Sequence, residues 1–222
     1  MSKIIVLMGA PGAGKGTQAR LINERLGLPQ ISTGDIFREL AKAQTPLADE
    51  VRAVQAAGML ISDALVIRVV EERTERDDCR NGYVLDGFPR TQVQAEMLEN
   101  LASGQNMKIV AILCDVPREL LEKRAVGRRS CPICGEIYNV FFKPPKNDNV
   151  CDFHPEAQLI QRADDTAEKI QVRLGTYETE TAPILNYYRA SNRFYRVDGT
   201  RPAEAIYTEI EKIVTAEDAV VS

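Results

Sequence analysis

The chain has 222 residues, enough for one sizeable core with an inserted module but not for two large domains. Hydrophobic residues at 44% and charged residues at 27% exclude a disordered or fibrous chain, and a net charge of −4 argues against a general nucleic-acid binder. The apolar run Ile4 to Met8 is too short for a secretory core or a bilayer span. The expectation is therefore a cytosolic protein without membrane attachment, whose five cysteines are ligands, catalytic groups or core residues rather than disulfides.

Short apolar runs alternate with amphipathic segments, the pattern of a parallel sheet covered by helices. Ile4 to Met8 reads as a first strand buried on both faces, because it shows no alternation. Lys15 to Leu26 reads as a helix, which Gly27 ends in a left-handed conformation and Pro29 keeps from restarting. Pro29 to Ser32 is a weak second strand. Asp35 to Ala43 is a helix, followed by a break at Pro46 and a further helical stretch to Ala57. Ser62 is placed to cap a helix that buries Leu65, Val66, Val69 and Val70. Tyr83 to Asp86 is a strand running into the turn Gly87-Phe88-Pro89, Thr91 to Leu101 a helix, and Ile109 to Val116 a buried strand. Pro117 sits where the next helix begins. The pattern breaks between Arg128 and Asp165, which reads as an inserted module. A long helix resumes at Thr166, bent or broken near Pro183. Phe194 to Asp198 is the last strand and Pro202 to Val214 the last helix. The sum is an α/β fold, a doubly wound five-stranded parallel sheet, with its site at the carboxyl ends of the strands.

Gly9-Ala10-Pro11-Gly12-Ala13-Gly14-Lys15-Gly16-Thr17 fits G-x-x-x-x-G-K between a strand and a helix. Backbone N–H groups of Gly12, Ala13, Gly14, Lys15, Gly16 and Thr17 can converge there on phosphate oxygens, aided by the positive end of the helix. Lys15 would reach the outer phosphates. The hydroxyl that usually follows the lysine directly is displaced here, with Gly16 intervening before Thr17. Phosphoryl transfer needs charge neutralisation more than covalent chemistry, and the candidate cations are Arg38, Arg90, Arg124, Arg128, Arg162 and Arg173. Asp86, at a strand end, suits a Mg²⁺ shell or a cap for the following turn; Asp35 is a weaker second candidate. No Ser-His-Asp set exists, which suits a phosphate acceptor that needs no base.

Cys131-Pro132-Ile133-Cys134 and Cys151-Asp152-Phe153-His154 give C-x₂-C-x₁₆-C-x₂-H, the spacing of a zinc ribbon. Four protein ligands leave no open position, so the ion would be structural and would stabilise a module without a core of its own. Asp152 is the alternative fourth ligand. Cys79 and Cys114 lack such partners, and Cys114 reads as a core residue.

With these residues in view, the chain resembles the adenylate kinases of the long, lid-bearing type over essentially its whole length. The matching stretches are Gly9 to Gln18, Ser32-Thr33-Gly34-Asp35, Asp86 to Thr91, Gly127-Arg128-Arg129, Arg162-Ala163-Asp164-Asp165 and Val197 to Thr200. Gly16 before Thr17 is normal for that family. The resemblance implies a phosphate-loop fold and reversible transfer from Mg²⁺-bound ATP to AMP, giving two ADP, by a monomer. It implies AMP contacts from Thr33, Arg38, Arg90 and Gln94, with Met59, Leu60 and Ile61 near the adenosine and Gly87, Phe88, Pro89 and Arg90 forming a turn beneath it. Arg124 and Arg128 would contact ATP, Ile137 and Tyr138 would lie near its base, and Arg201 would offer backbone there. Arg162 and Arg173 would clamp the phosphates in transit. Residues 32–61 would form the AMP-binding subdomain and 128–165 a mobile, zinc-binding lid. The rival readings are a monophosphate kinase of other base preference and a zinc-ribbon protein that binds ATP without turning it over.

Overall fold

The structure, a computed structural model, describes residues 2–56 and 61–216. Met59 and Leu60 lie outside the described residues. Five parallel strands form the central sheet: β1 (Lys3–Met8), β2 (Gln30–Ser32), β3 (Gly82–Asp86), β4 (Lys108–Asp115) and, after a second small sheet numbered β5 and β6 below, β7 (Phe194–Asp198). Their order is β2-β3-β1-β4-β7. β1 runs through the centre, with Ile5 beside Val84 of β3 on one side and Val110 of β4 on the other.

This register explains why the strands read as continuous apolar runs. Alternate residues of β1 enter different cores: Ile4, Val6 and Met8 join one face, Ile5 and Leu7 the other. The first face is covered by α2 (Thr33–Leu40), α3 (Pro46–Ala56), α4 (Asp63–Thr74) and α5 (Gln92–Gly104), which contribute Phe37, Val51, Val70 and Leu98. The second is covered by α1 (Lys15–Leu26) and α6 (Arg118–Val126) through Ile22 and Leu121, and by α7 (Ala167–Thr176) and α9 (Ala203–Thr215) through Leu174 and Ile210. Between the last two, α8 (Ile184–Arg189) returns to the first face through Ile184, Leu185 and Tyr188.

Local chemistry accounts for most element ends. Gly27 closes α1 at φ 67°, its N–H donating to the Asn23 carbonyl. α2 begins two residues before the expected start because Ser32 caps it, its hydroxyl accepting from the Asp35 N–H at 3.2 Å. It ends at Leu40, where Lys42 and Ala43 tighten into shorter-range bonds to Glu39 and Leu40. Ser62 occupies the cap position of α4, but it accepts through its backbone carbonyl rather than its hydroxyl. The expected break at Pro183 begins earlier. α7 stops at Thr176 and a turn of π-helix covers Tyr177–Thr181, where the Ala182 N–H reaches back five residues to Tyr177 at 2.7 Å. Proline lacks an N–H and crowds the carbonyl four residues before it, and the widened turn absorbs that misfit ahead of Pro183.

The stretch from Arg128 to Asp165 holds only β5 (Arg128–Ser130) and β6 (Ile137–Asn139), an antiparallel pair outside the main sheet. Its buried cluster is Cys131, Tyr138, Cys151, Ala157 and Leu159. Two aliphatic side chains and one ring bury too little surface to order the segment alone. No helix among the described residues is long and apolar enough to cross a membrane.

Candidate functional site

The loop between β1 and α1 leaves the central strand at its carboxyl end, where neighbouring loops diverge and a crevice opens. Gly12 holds φ 88°, and a Cβ built there would stand 2.5 Å from the Leu121 carbonyl oxygen. No side chain fits that conformation and that space together. Gly14 precedes α1 without a capping side chain, so the first-turn N–H groups of α1 receive no side-chain acceptor from the cap. Lys15 folds over the loop, donating from Nζ to the carbonyls of Gly9 at 2.7 Å and Ala10 at 3.1 Å. Burial lowers its pKa, against the pull of nearby Asp86. A partly desolvated ammonium beside orphan backbone donors is the electrostatic form of a phosphate cradle.

Asp86 ends β3 next to that cradle. One of its oxygens lies 3.5 Å from where a Gly16 side chain would begin, and Gln30 donates to the same oxygen at 3.4 Å. β3 then leads into a cis Phe88–Pro89 bond. The Gly87 carbonyl accepts from Arg90 Nε at 2.7 Å and from the buried Thr33 hydroxyl at 3.0 Å. Phe88 is buried beneath this turn. Gln94, 4% exposed, accepts the Arg90 backbone N–H at 2.7 Å and donates to Asp63 Oδ1 at 2.7 Å. Ile61 packs at the edge of the first core.

Cations gather around these groups. Although Arg90 keeps an exposed surface, loss of water around its guanidinium, then repulsion from Arg173, lowers its pKa. Arg162 is lowered by burial, then by Arg128 and Arg38. All remain charged at neutral pH, so the shifts record loss of water first and crowding of like charge second. Carboxylates hold the set in place. Arg38 binds Asp35 at 2.5 Å, and Arg162 reaches the same oxygen at 3.7 Å. Burial would raise Asp35, but Arg38 outweighs it and the carboxyl falls below its usual range. Asp164 is likewise lowered despite burial, chiefly by Arg173. Asp165 is fully buried and takes Arg128 on both oxygens at 2.8 and 2.5 Å, with Arg173 at 3.2 Å. Desolvated cations packed more closely than their carboxylates can balance make a site for a polyanion.

The remaining expected residues fall on a second flank. Arg124 donates to the carbonyls of Gly199 at 2.7 Å and Thr200 at 3.5 Å, and its own carbonyl accepts from Asn139 at 2.8 Å. Arg201 is paired with Glu209. Ile137 faces the loop, its Cδ1 4.0 Å from a built Gly16 Cβ. Tyr138 points the other way: it is 1% exposed, and its hydroxyl accepts from the Asp152 N–H at 2.9 Å beside Cys151. Its ring is thus part of the small core, and its backbone pairs with Arg129 in the β5–β6 ladder.

Cys131, Cys134, Cys151 and His154 bring their ligand atoms within 4.8 Å of one another. The Cys134 and Cys151 sulfurs are 3.8 Å apart, matching the separation of about 3.8 Å that two Zn–S bonds of about 2.3 Å subtend in a tetrahedron. Burial would raise the Cys151 thiol, but the Phe153 N–H and the Tyr138 hydroxyl bring it down to about 6. Asp152, the alternative ligand, instead accepts from the Lys146 N–H at 2.8 Å. Cys114 is a core residue whose burial pushes its thiol up to about 11, and Cys79 is buried against Arg73.

The sequence did not single out Gln30, Asp63, Asp164 or Asp165 as supports for the site. Nor did it mark Arg20 of α1, which pairs with Glu136, a buried residue also held by Lys143. The acidic pair after Arg162 was a usable signal, since adjacent carboxylates beside arginines suggest charge pairing; Glu136 offered none.

The adenylate kinase family model matches residues 7–193. Adenylate kinase from Clostridium perfringens (strain SM101) is 44% identical over 96% of this chain and 99% of its own length. That from Clostridium botulinum (strain Loch Maree) is 44% identical over 95% and 97%, and that from Clostridium tetani 43% over 96% and 98%. With the phosphate loop, the crowded arginines and the Cys/His module in one frame, these likenesses show that the chain belongs to the adenylate kinase family and is a nucleoside monophosphate kinase.

Proposed function

We propose that the chain carries the γ-phosphoryl group of Mg²⁺-bound ATP to AMP, reversibly, through the groups gathered around Lys15. The observation that carries this is the convergence of Lys15, Arg38, Arg90, Arg162 and Arg173 on one crevice. An AMP phosphate is largely ionised near neutral pH, since its second pKa is about 6, and needs no base. ATP lies along the loop from Gly12 to Thr17, its adenosine towards the flank of Arg124, Ile137, the Tyr138 backbone and Arg201. AMP lies across the Gly87 to Arg90 turn with its phosphate on Arg38 and Arg90 and its base against Thr33 and Gln94, with Ile61 nearby. Arg128, Arg162 and Arg173 exchange carboxylate partners for phosphate oxygens as the group passes. Asp86 and Thr17 would hold the Mg²⁺ that accompanies ATP, and the ion would supply neutralisation of phosphate charge. Residues 32–61 act as the AMP subdomain and 128–165 as a lid that keeps water out.

The Cys₃His set would hold Zn²⁺ as a structural ion, replacing the apolar core that the lid lacks. A monomer is the companion expectation of this reading, and the free cysteines suit a reducing cytosol. A coupled assay with ATP and each monophosphate tests the reading. ADP should form fastest with AMP, and Arg90→Ala should lower the rate on the order of a hundredfold or more. No transfer to any monophosphate would overturn the enzymatic reading; equal rates with AMP, CMP and UMP would overturn the base assignment.

A further inference from the structure

Gln94 has a primary amide, which can turn over and exchange its donor with its acceptor. Here both ends are committed. Oε1 accepts the Arg90 N–H at 2.7 Å, and Nε2 donates to Asp63 Oδ1 at 2.7 Å. The first partner can only donate and the second, as a carboxylate, can only accept. One orientation satisfies both. The reverse would set N–H against N–H and carbonyl against carboxylate, in a side chain only 4% exposed, where unpaired polar groups are costly.

The two neighbours are held by different elements. Arg90 N belongs to the turn after β3, fixed from below by buried Phe88 and by the Gly87 carbonyl bonds. Asp63 is the first residue of α4, 31 positions from Gln94, and is half-buried. Gln94 itself sits in the first turn of α5, where the Thr91 hydroxyl accepts its N–H at 3.2 Å. Its backbone is therefore fixed as firmly as its amide.

With those two bonds made, the amide keeps one N–H and one lone pair. This pair complements the edge of adenine, which offers an acceptor at N1 and a donor at its 6-amino group. Hypoxanthine and guanine present the opposite order, a donor at N1 and an acceptor at O6. A freely turning amide would accept either kind of base; a locked one refuses the second. We propose that Asp63 is a specificity-determining positioning residue, which fixes the Gln94 amide so that the acceptor site takes 6-amino purine monophosphates and rejects 6-oxo ones. The inference rests on the reading of Gln94 as a contact to the acceptor base.

The test compares kcat/KM for AMP and for inosine monophosphate, at saturating ATP, in the full-length protein. Asp63→Asn keeps the shape but can offer Gln94 either an oxygen or an amide, so only the Arg90 N–H still opposes turning. The preference for AMP over inosine monophosphate should fall on the order of tenfold, with inosine monophosphate turnover gaining relative to AMP. Asp63→Ser, which keeps a side-chain oxygen at the start of α4, gives the same reading if the asparagine variant does not accumulate. A purely structural role for Asp63 predicts a lower Tm and equal losses for both substrates; an unchanged ratio in both variants overturns the proposal. Gln94→Leu separates the two layers. If it leaves the ratio intact, Gln94 does not read the base and the underlying assignment fails. If it collapses the ratio while both Asp63 variants preserve it, Gln94 reads the base and the lock alone fails.

Discussion

Removing the carboxylate of Asp165 tests the electrostatic design of the site most directly. This side chain is fully buried and joins Arg128 and Arg173, which are themselves 19% and 31% exposed. In Asp165→Asn the three guanidinium contacts at 2.8, 2.5 and 3.2 Å lose their charged acceptor, while the arginines stay where α7 and β5 put them. Deleting one member of a buried ion pair destabilises by about 3–5 kcal/mol, because the other is left uncompensated. The residual exposure of both arginines favours the lower end, about 3 kcal/mol. For a chain of this length each kcal/mol moves Tm by about 2–4 °C, so thermal unfolding should occur about 6–12 °C lower. Saturating ATP should narrow the gap, since phosphate oxygens supply the missing acceptors. A Tm within about 2 °C of the parent without nucleotide would refute the reasoning, and would mean that water already carries these arginines.

Stripping the metal from the Cys₃His set with a chelator should lower Tm, release the backbone amides of β5 and β6 to hydrogen exchange, and reduce turnover; if all three stay unchanged, the module is not metal-ordered. Acid unfolding should reveal Asp35. Its folded pKa lies below the 3.8 of a free carboxyl, so the unfolded chain binds more protons between the two values and stability rises with pH there. The contribution is complete above pH 3.8 and disappears as the pH falls through the lower folded value. With the Asp35 side chain 53% exposed, the gain is under about 1 kcal/mol, and Asp35→Asn should show a correspondingly shallower acid limb in urea titrations. A limb of unchanged slope would remove the Arg38 pair as its cause.

Strand runs such as Ile4 to Met8 and Ile109 to Val116 were legible because burial on both faces leaves no other composition possible. The phosphate loop and the cysteine spacing were legible because their chemistry is local: a tight turn before a helix, two knuckles closing on one centre. What the sequence concealed depends on contacts between distant elements. Tyr138 is expected with Ile137 near the base of ATP, yet the alternation of β6 turns its ring into the module and Ile137 towards the loop. Asp63 looks like an ordinary acid at a helix start until α4 is laid beside α5. The π-turn at Tyr177 could not be placed either, since proline announces that a helix must yield but not where.

Glu136 serves two masters. Its carbonyl accepts the Cys131 N–H at 3.0 Å, closing the first knuckle, while its carboxylate takes Arg20 from the helix that follows the phosphate loop. Arg20 Nε is buried without a hydrogen-bond partner and stands 3.8 Å from Glu24, so Glu136 supplies the direct hydrogen bond to this guanidinium. The module is consequently not an exchangeable cassette. A chimera that replaced residues 128–165 with a segment lacking an acid at the equivalent place would keep its own knuckle and leave Arg20 with the longer contact to Glu24 in its place. Swapping such modules between relatives therefore calls for residue 20 to travel with residue 136, as a pair split across 116 positions of chain.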